Sequence, residues 1–289
     1  MKRLFSSMIA ASVLATGGAM AEPANPANPS DPAEFRALMV DFYQERYPDV
    51  PFEEYNNGVY AIDEDARSQW EGMKIFPETD QYVAAGEELW NEYRLPNGKP
   101  LSSCLGEAKG LRAKYPYFNE KDGEVHSLGL DIINCQKNAG EDAEKVWDPK
   151  NNYKKLANVL AYLASESAGM TNNVQADSEG AKAAYNRGKE AWFRRTGRLD
   201  NSCADCHQYH GGKYVRAEHL HMNLGNTTHF PIFRYSKGKM YTMHKRIYGC
   251  IRDTGTVPFA QYSPYSRDLE FFMSYNDNEL ELNGPGIRK

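Results

Sequence analysis

Cys203-Ala204-Asp205-Cys206-His207 places two thiols three residues apart and an imidazole directly beside the second. Thiols at that spacing can add to the two vinyl groups of a haem, and the adjacent imidazole then points at the iron. The segment therefore demands a fold that wraps a porphyrin. It predicts one covalently attached haem c per chain, held by Cys203 and Cys206, with His207 as an axial iron ligand. A Cys-x-x-Cys pair can also serve redox exchange or zinc binding. Here the pair stands alone, and a zinc site would have to borrow its other ligands from His210, His219 and His221.

The N-terminus agrees with such a cofactor. Lys2 and Arg3 precede an apolar run from Met8 through Ala15 and a small-x-small site, Ala19-Met20-Ala21. That pattern reads as a secretory signal over residues 1–21, cleaved after Ala21, with an apolar run too short to span a bilayer. The expected location is the periplasm, with no membrane span. The chain carries 34 basic and 39 acidic residues, and losing Lys2 and Arg3 leaves 32 against 39, a charge of −7. An acidic chain without a basic stripe excludes nucleic acid as a partner. Residues 22–34, rich in Pro, Ala and Asn, read as a flexible leader.

An internal repeat organises the rest. Gly86-Glu87-Glu88-Leu89-Trp90 matches Gly188-Lys189-Glu190-Ala191-Trp192, each with Gly and Trp on one face of a helix. Fourteen residues beyond Trp90 lies Cys104, and fourteen beyond Trp192 lies Cys206. Each half has one further cysteine, Cys135 or Cys250, and closes on an apolar segment, Leu156 to Leu163 or Leu269 to Met273. The matched spacing predicts a mainly α protein of two tandem cytochrome c-like domains that arose by duplication. Residues 35–172 form the first, without haem, and residues 173–289 form the haem-binding one.

The first half has lost the attachment chemistry. Leu101 stands where the repeat has Cys203, and Leu105 where it has His207. In an oxidising compartment the remaining Cys104 and Cys135 predict a disulfide, the alternative being two buried free thiols. Closing that loop would stabilise the fold by roughly 3–4 kcal/mol. In the second half the other iron ligand is open among Met222, Met240, Met243, the histidines from His210 to His244, and Cys250. Met and His are the commoner ligands of electron carriers. Cys250 would otherwise be an unpaired thiol in an exported protein. As an iron-bound thiolate it would be negative and electron-donating, and Lys245, Arg246 and Arg252 surround it in sequence.

These residues resemble the SoxA subunit of the SoxAX cytochrome complex of bacterial sulfur oxidation. The similarity rests on Gly86 to Trp90, Ala113-Lys114-Tyr115-Pro116, and Leu199 through His207. It also rests on Phe230-Pro231-Ile232-Phe233-Arg234 and Arg246-Ile247-Tyr248-Gly249-Cys250. Ser103-Cys104-Leu105-Gly106 stands where two-haem members have Ser-Cys-His-Gly, so the chain is similar to a one-haem member.

The resemblance implies a haem-dependent L-cysteine S-thiosulfotransferase. Such an enzyme joins thiosulfate oxidatively to a cysteine of the carrier SoxYZ, and the electrons leave through SoxX, a monohaem cytochrome bound as a heterodimer. It also implies that Cys250 is both distal iron ligand and catalytic residue, found as a persulfide, and that Arg246 contacts the substrate. The chemistry of these side chains agrees. Arg246 lies four residues before Cys250, so both share a helix face, and a guanidinium offers paired donors to a compact dianion. The rival reading is a periplasmic monohaem electron-transfer cytochrome without sulfur chemistry.

Overall fold

Asp31 and Pro32 start the first helix. The Asp31 carboxylate accepts from the backbone N–H groups of Ala33 and Glu34, and Pro32 fills a first-turn position that needs no N–H partner. The computed structural model describes residues 28–289, so the signal peptide and the start of the leader lie outside the described residues. The leader reading needs correction at its end, because α1 already runs over Pro32–Arg46. The Pro29 carbonyl accepts from Lys189 Nζ, and the Ser30 carbonyl from Asn186 Nδ2. A local cap signal and two anchors outweigh a composition that suggested an extended chain.

A 3-10 segment at Phe52–Ala61 leads into α2 (Glu64–Met73), α3 (Thr79–Glu92) and the single turn α4 (Ser102–Leu105). The hairpin of β1 (Tyr117–Asn119) and β2 (Glu124–His126) precedes α5 (Leu128–Asn138), α6 (Tyr153–Ser165) and α7 (Glu179–Phe193). A second hairpin, β3 (Tyr214–Val215) with β4 (Glu218–His219), is followed by β5 (Ile232–Arg234) and β6 (Lys239–Tyr241). The chain ends with α8 (Met243–Asp253), α9 (Pro264–Asn276) and β7 (Gly286–Arg288). β5 is central in a small sheet, with Ile232 opposite Tyr241 of antiparallel β6 and opposite Gly286 of parallel β7. The protein is mainly helical, as expected from the sequence.

Two helix pairs carry the cores, and their glycines explain the Gly-x-x-x-Trp motif. α3 lies so close to α6 that a Cβ on Gly86 would fall 2.0 Å from the Asn158 carbonyl oxygen and 2.8 Å from Tyr162 Cβ. α7 approaches α9 in the same way: a Cβ on Gly188 would fall 2.1 Å from the Asp268 carbonyl oxygen and 2.7 Å from Phe272 Cβ. Any side chain at either glycine would push the helices apart. Trp90 and Trp192, one turn later, are both buried.

The core of the first half is filled by its own side chains. Leu101, Leu111, Ile132, Trp147 and Leu156 pack together there, and each is almost wholly buried. Cys104 of α4 is joined to Cys135 of α5 by a disulfide, with Cα atoms 6.1 Å apart. α1 packs elsewhere. Phe35, Met39 and Tyr43 recur every four residues and bury against Tyr185 and Trp192 of α7 and Phe271 and Phe272 of α9. The Tyr55 hydroxyl donates to the Tyr43 carbonyl at 3.0 Å. A unit of 35–172 is therefore not one packed body, because α1 and the start of the 3-10 segment join the core of the second half. Their apolar stripe finds its complement only in three dimensions.

Asp277, at the C-terminal end of α9, ties down the loop that follows β4. Its carboxylate accepts from the Gly225 N–H at 2.7 Å, the Thr227 N–H at 2.7 Å and the Thr227 hydroxyl at 2.6 Å. Asp277→Ala would leave these buried donors unmatched and should lower unfolding stability by about 3 kcal/mol or more. Asp277→Asn should restore part of the loss, as read by denaturant unfolding. Burial raises this carboxyl from 3.8 to about 6. The native state therefore binds its proton more tightly than the unfolded chain does, so this group's contribution to stability falls as pH rises through that window. Asp277→Asn should remove that part of the pH dependence.

Candidate functional site

The attachment segment is fixed at its start by a reciprocal cap. Asp205 Oδ2 accepts from the Ser202 N–H at 2.8 Å and the Ser202 hydroxyl at 2.9 Å, while Ser202 Oγ accepts from the Asp205 N–H at 3.0 Å. The chain then opens into a wide π turn over Asp205–Tyr209. His207 Nδ1 donates to the His221 carbonyl at 2.8 Å, which sets its tautomer and leaves Nε2 free as a ligand. Tyr43 of α1 completes the frame. Its hydroxyl donates to the His207 carbonyl at 2.9 Å and accepts from the Asn223 N–H at 2.9 Å.

α8 presents the other side. Thr242 caps it, with Oγ1 accepting from the Lys245 N–H at 3.2 Å. Tyr153 of α6 accepts from the Thr242 N–H at 3.0 Å and donates to the Met240 carbonyl at 3.2 Å. Arg246 and Cys250 lie one turn apart along this helix. Burial raises the Cys250 thiol, but the Arg246 guanidinium and the His207 imidazole outweigh it and hold the thiol below its ordinary value. Burial, then the neighbouring Cys250 and Cys206, push Cys203 up to about 12, and Cys206 is raised by burial and by Cys250. All three are free thiols.

This donor set fits a c-type haem. Two neutral thiols three apart can bond the vinyl groups, and an imidazole with its far nitrogen free faces a thiol that ionises readily. The other distal candidates are otherwise engaged. Met222 and Met243 are buried in the core around α7 and α9, and Met240 packs with Phe233, Ala157 and Ala161. His244 spends both nitrogens, one toward Glu270 at 2.9 Å and one accepting from the Tyr262 N–H at 3.2 Å. His210 and His219 bond the carbonyls of Asp205 and Gly212, and the tilted rings of His221 and His229 pack together with centroids 4.8 Å apart. Cys250 faces His207 closely enough for the imidazole to act on its thiol.

The three basic residues of α8 part company. Arg246 acts on Cys250, Arg252 pairs with Asp253 at the surface, and the Lys245 ammonium lies 5.3 Å from the Tyr153 ring centroid. Two further residues escaped the sequence reading of the site. Arg234 of β5, 7 % exposed in its side chain, bonds Glu218 at 2.5 Å, and the same carboxylate stands 4.0 Å from Arg246. The Phe230-to-Arg234 block was the signal that could have found Arg234. Nothing in the spacing marks Glu218, which reaches the site from a separate hairpin.

Comparison with known proteins agrees with this arrangement. The family model "SoxA/TsdA, cytochrome c domain" matches residues 85–171. The L-cysteine S-thiosulfotransferase subunit SoxA of Chlorobaculum tepidum is 42 % identical over 86 % of this chain and 85 % of the relative. That of Allochromatium vinosum is 36 % identical over 89 % of this chain and 90 % of its own. The crystal structure of SoxXA from P. pantotrophus superposes with a TM-score of 0.67 at 27 % identity, covering 78 % of this chain and 84 % of the solved one. A mainly helical chain with a cytochrome c domain and this extent of identity belongs to the SoxA family.

Proposed function

We propose that this chain is the thiosulfotransferase subunit of a periplasmic cytochrome complex, exported by a signal cleaved after Ala21. It works on thiosulfate and a cysteine of a SoxYZ-like carrier, with a SoxX-like monohaem cytochrome as heterodimeric partner. The observation that carries the reading is the convergence of His207, Cys250 and Arg246, an imidazole and a guanidinium that together make one thiol acidic. One haem c is attached to Cys203 and Cys206 and ligated by His207 and Cys250; when bound it supplies a one-electron acceptor beside the sulfur chemistry. An electron carrier would need neither the thiolate nor the guanidinium one turn before it.

The residues divide the work. Arg246 offers planar paired donors to the oxygens of the thiosulfate dianion and directs its outer sulfur toward Cys250. Cys250, as thiolate or persulfide, is the form competent in sulfur exchange. The net reaction makes one S–S bond: a carrier thiol and thiosulfate give the carrier S-thiosulfonate, one proton and two electrons. The electrons pass one at a time to the partner cytochrome. With thiosulfate and reduced carrier, the complex should reduce cytochrome by two electrons for each carrier adduct seen by mass spectrometry. Cytochrome reduction without any adduct would leave only an electron carrier.

The two halves descend from a duplication, and the first has no haem. Support comes from the paired glycine crossings at Gly86 and Gly188 and from a family match that covers the half lacking the attachment motif. Intact mass of the mature holoprotein should give one haem, and unreduced peptide maps should link Cys104 to Cys135. A second haem, or both cysteines open to alkylation in the native protein, would reject this division.

A further inference from the structure

A buried guanidinium needs an anion, because desolvation removes the water that would otherwise solvate its charge. Arg234 has one carboxylate in reach among the described residues, Glu218, and that carboxylate comes from a half-exposed position on β4. Its two oxygens serve two cations: Oε1 lies 2.5 Å from Arg234 and Oε2 lies 4.0 Å from Arg246. The second of these guanidiniums is the one that acidifies Cys250. Glu218 thus sits as an internal anion in a two-arginine clamp beside the reacting sulfur.

The hairpin that carries it is lightly held. The tip has Arg216 in the left-handed region, with φ 57°, and Tyr214 and Val215 are exposed. Its base is anchored at the Gly211 carbonyl by Tyr47 and at the His221 carbonyl by His207. Between Tyr214 and His219, though, the ties to the body outside the clamp are long ones: the Tyr214 hydroxyl to Asp63 at 3.4 Å and His219 to Asp63 at 3.8 Å. The Glu218 side chain, half-exposed, can swing out of the clamp while the chain just beyond it, where the His221 carbonyl holds His207 and Met222 is buried, stays in place.

We propose that Glu218 is a displaceable gate, seated where the substrate's oxygens bind, and that Arg234 is the second guanidinium of the thiosulfate site. A dianion with three terminal oxygens can engage both arginines and expel one carboxylate, whereas a monoanion cannot repay the broken Glu218–Arg234 pair. The clamp therefore selects compact dianions and stays closed without them. This inference rests on the reading that Arg246 binds thiosulfate.

Titration calorimetry on the oxidised holocomplex, with thiosulfate as probe and nitrate as competitor, tests it. Glu218→Gln keeps the side chain's shape and removes its charge. It should tighten thiosulfate binding about tenfold and let nitrate compete, while Arg234→Lys should weaken binding about tenfold. An unchanged ferric spectrum in both variants would show that the haem site is intact. If Glu218→Gln binds thiosulfate no better, or worse, while Arg246→Ala loses binding, the carboxylate merely props Arg234 and the gate is overturned. If Arg246→Ala binds as well as the natural protein, the substrate role of Arg246 falls, and the gate falls with it.

Discussion

Cys250→Ala is expected to reduce carrier modification by on the order of 10³-fold or more while leaving the haem attached through Cys203 and Cys206. The attachment thiols belong to a separate segment and do not depend on α8 for their bonds. What the variant loses is the one thiol that His207 and Arg246 together hold below its ordinary pKa. Cys250→Met separates ligation from chemistry. A thioether can ligate iron but cannot become a thiolate or a persulfide, so the ferric absorption and EPR spectra should change from a thiolate type to a His/Met type, with turnover still absent. An unchanged spectrum in either variant would reject Cys250 as the distal ligand. It would return attention to Met243, two turns earlier on the same face of α8, despite its burial in the core.

Arg246→Ala should leave that spectrum largely intact and lower turnover about tenfold to a hundredfold, the loss of a charge-assisted contact of roughly 1.5–3 kcal/mol. His207 and Cys250 need no guanidinium to hold iron. Arg246→Lys should recover only part of the rate, because an ammonium gives charge without paired planar donors. Arg252 is the clean comparison, since it is exposed and already paired with Asp253, and Arg252→Ala should cost much less. Lys245 is a less neutral control than its place in the sequence suggests. Its ammonium lies over Tyr153, whose hydroxyl braces the start of α8, so Lys245→Ala also loosens that helix's seat. Equal losses for Arg246→Ala and Arg252→Ala, erased by added salt, would mean that both only steer an acidic partner.

Local chemistry was legible in the sequence. The spacing of Cys203, Cys206 and His207 pointed to a haem, because covalent attachment would need thiols and imidazole at fixed spacing whatever the surroundings. The i, i+4 relation of Arg246 and Cys250 is likewise a property of a single helix. Leu101 and Leu105 stand in the first half where the second has Cys203 and His207, and Gly86 and Gly188 were visible in the sequence before their close helix crossings were. Tertiary structure decided everything that depends on two distant segments meeting. Only the fold takes α1 out of the half its numbering suggests and sets Tyr43 between His207 and Asn223. Only the fold hands Nδ1 of His207 to the carbonyl of His221, and spends both nitrogens of His244 on Glu270 and Tyr262. Arg234 and Glu218 are sixteen residues apart on different strands, and nothing in their spacing requires them to touch. A ligand's identity is written in its own bonds, whereas its orientation, its acidity and its rivals' exclusion are set by burial and by neighbours that the chain order does not reveal.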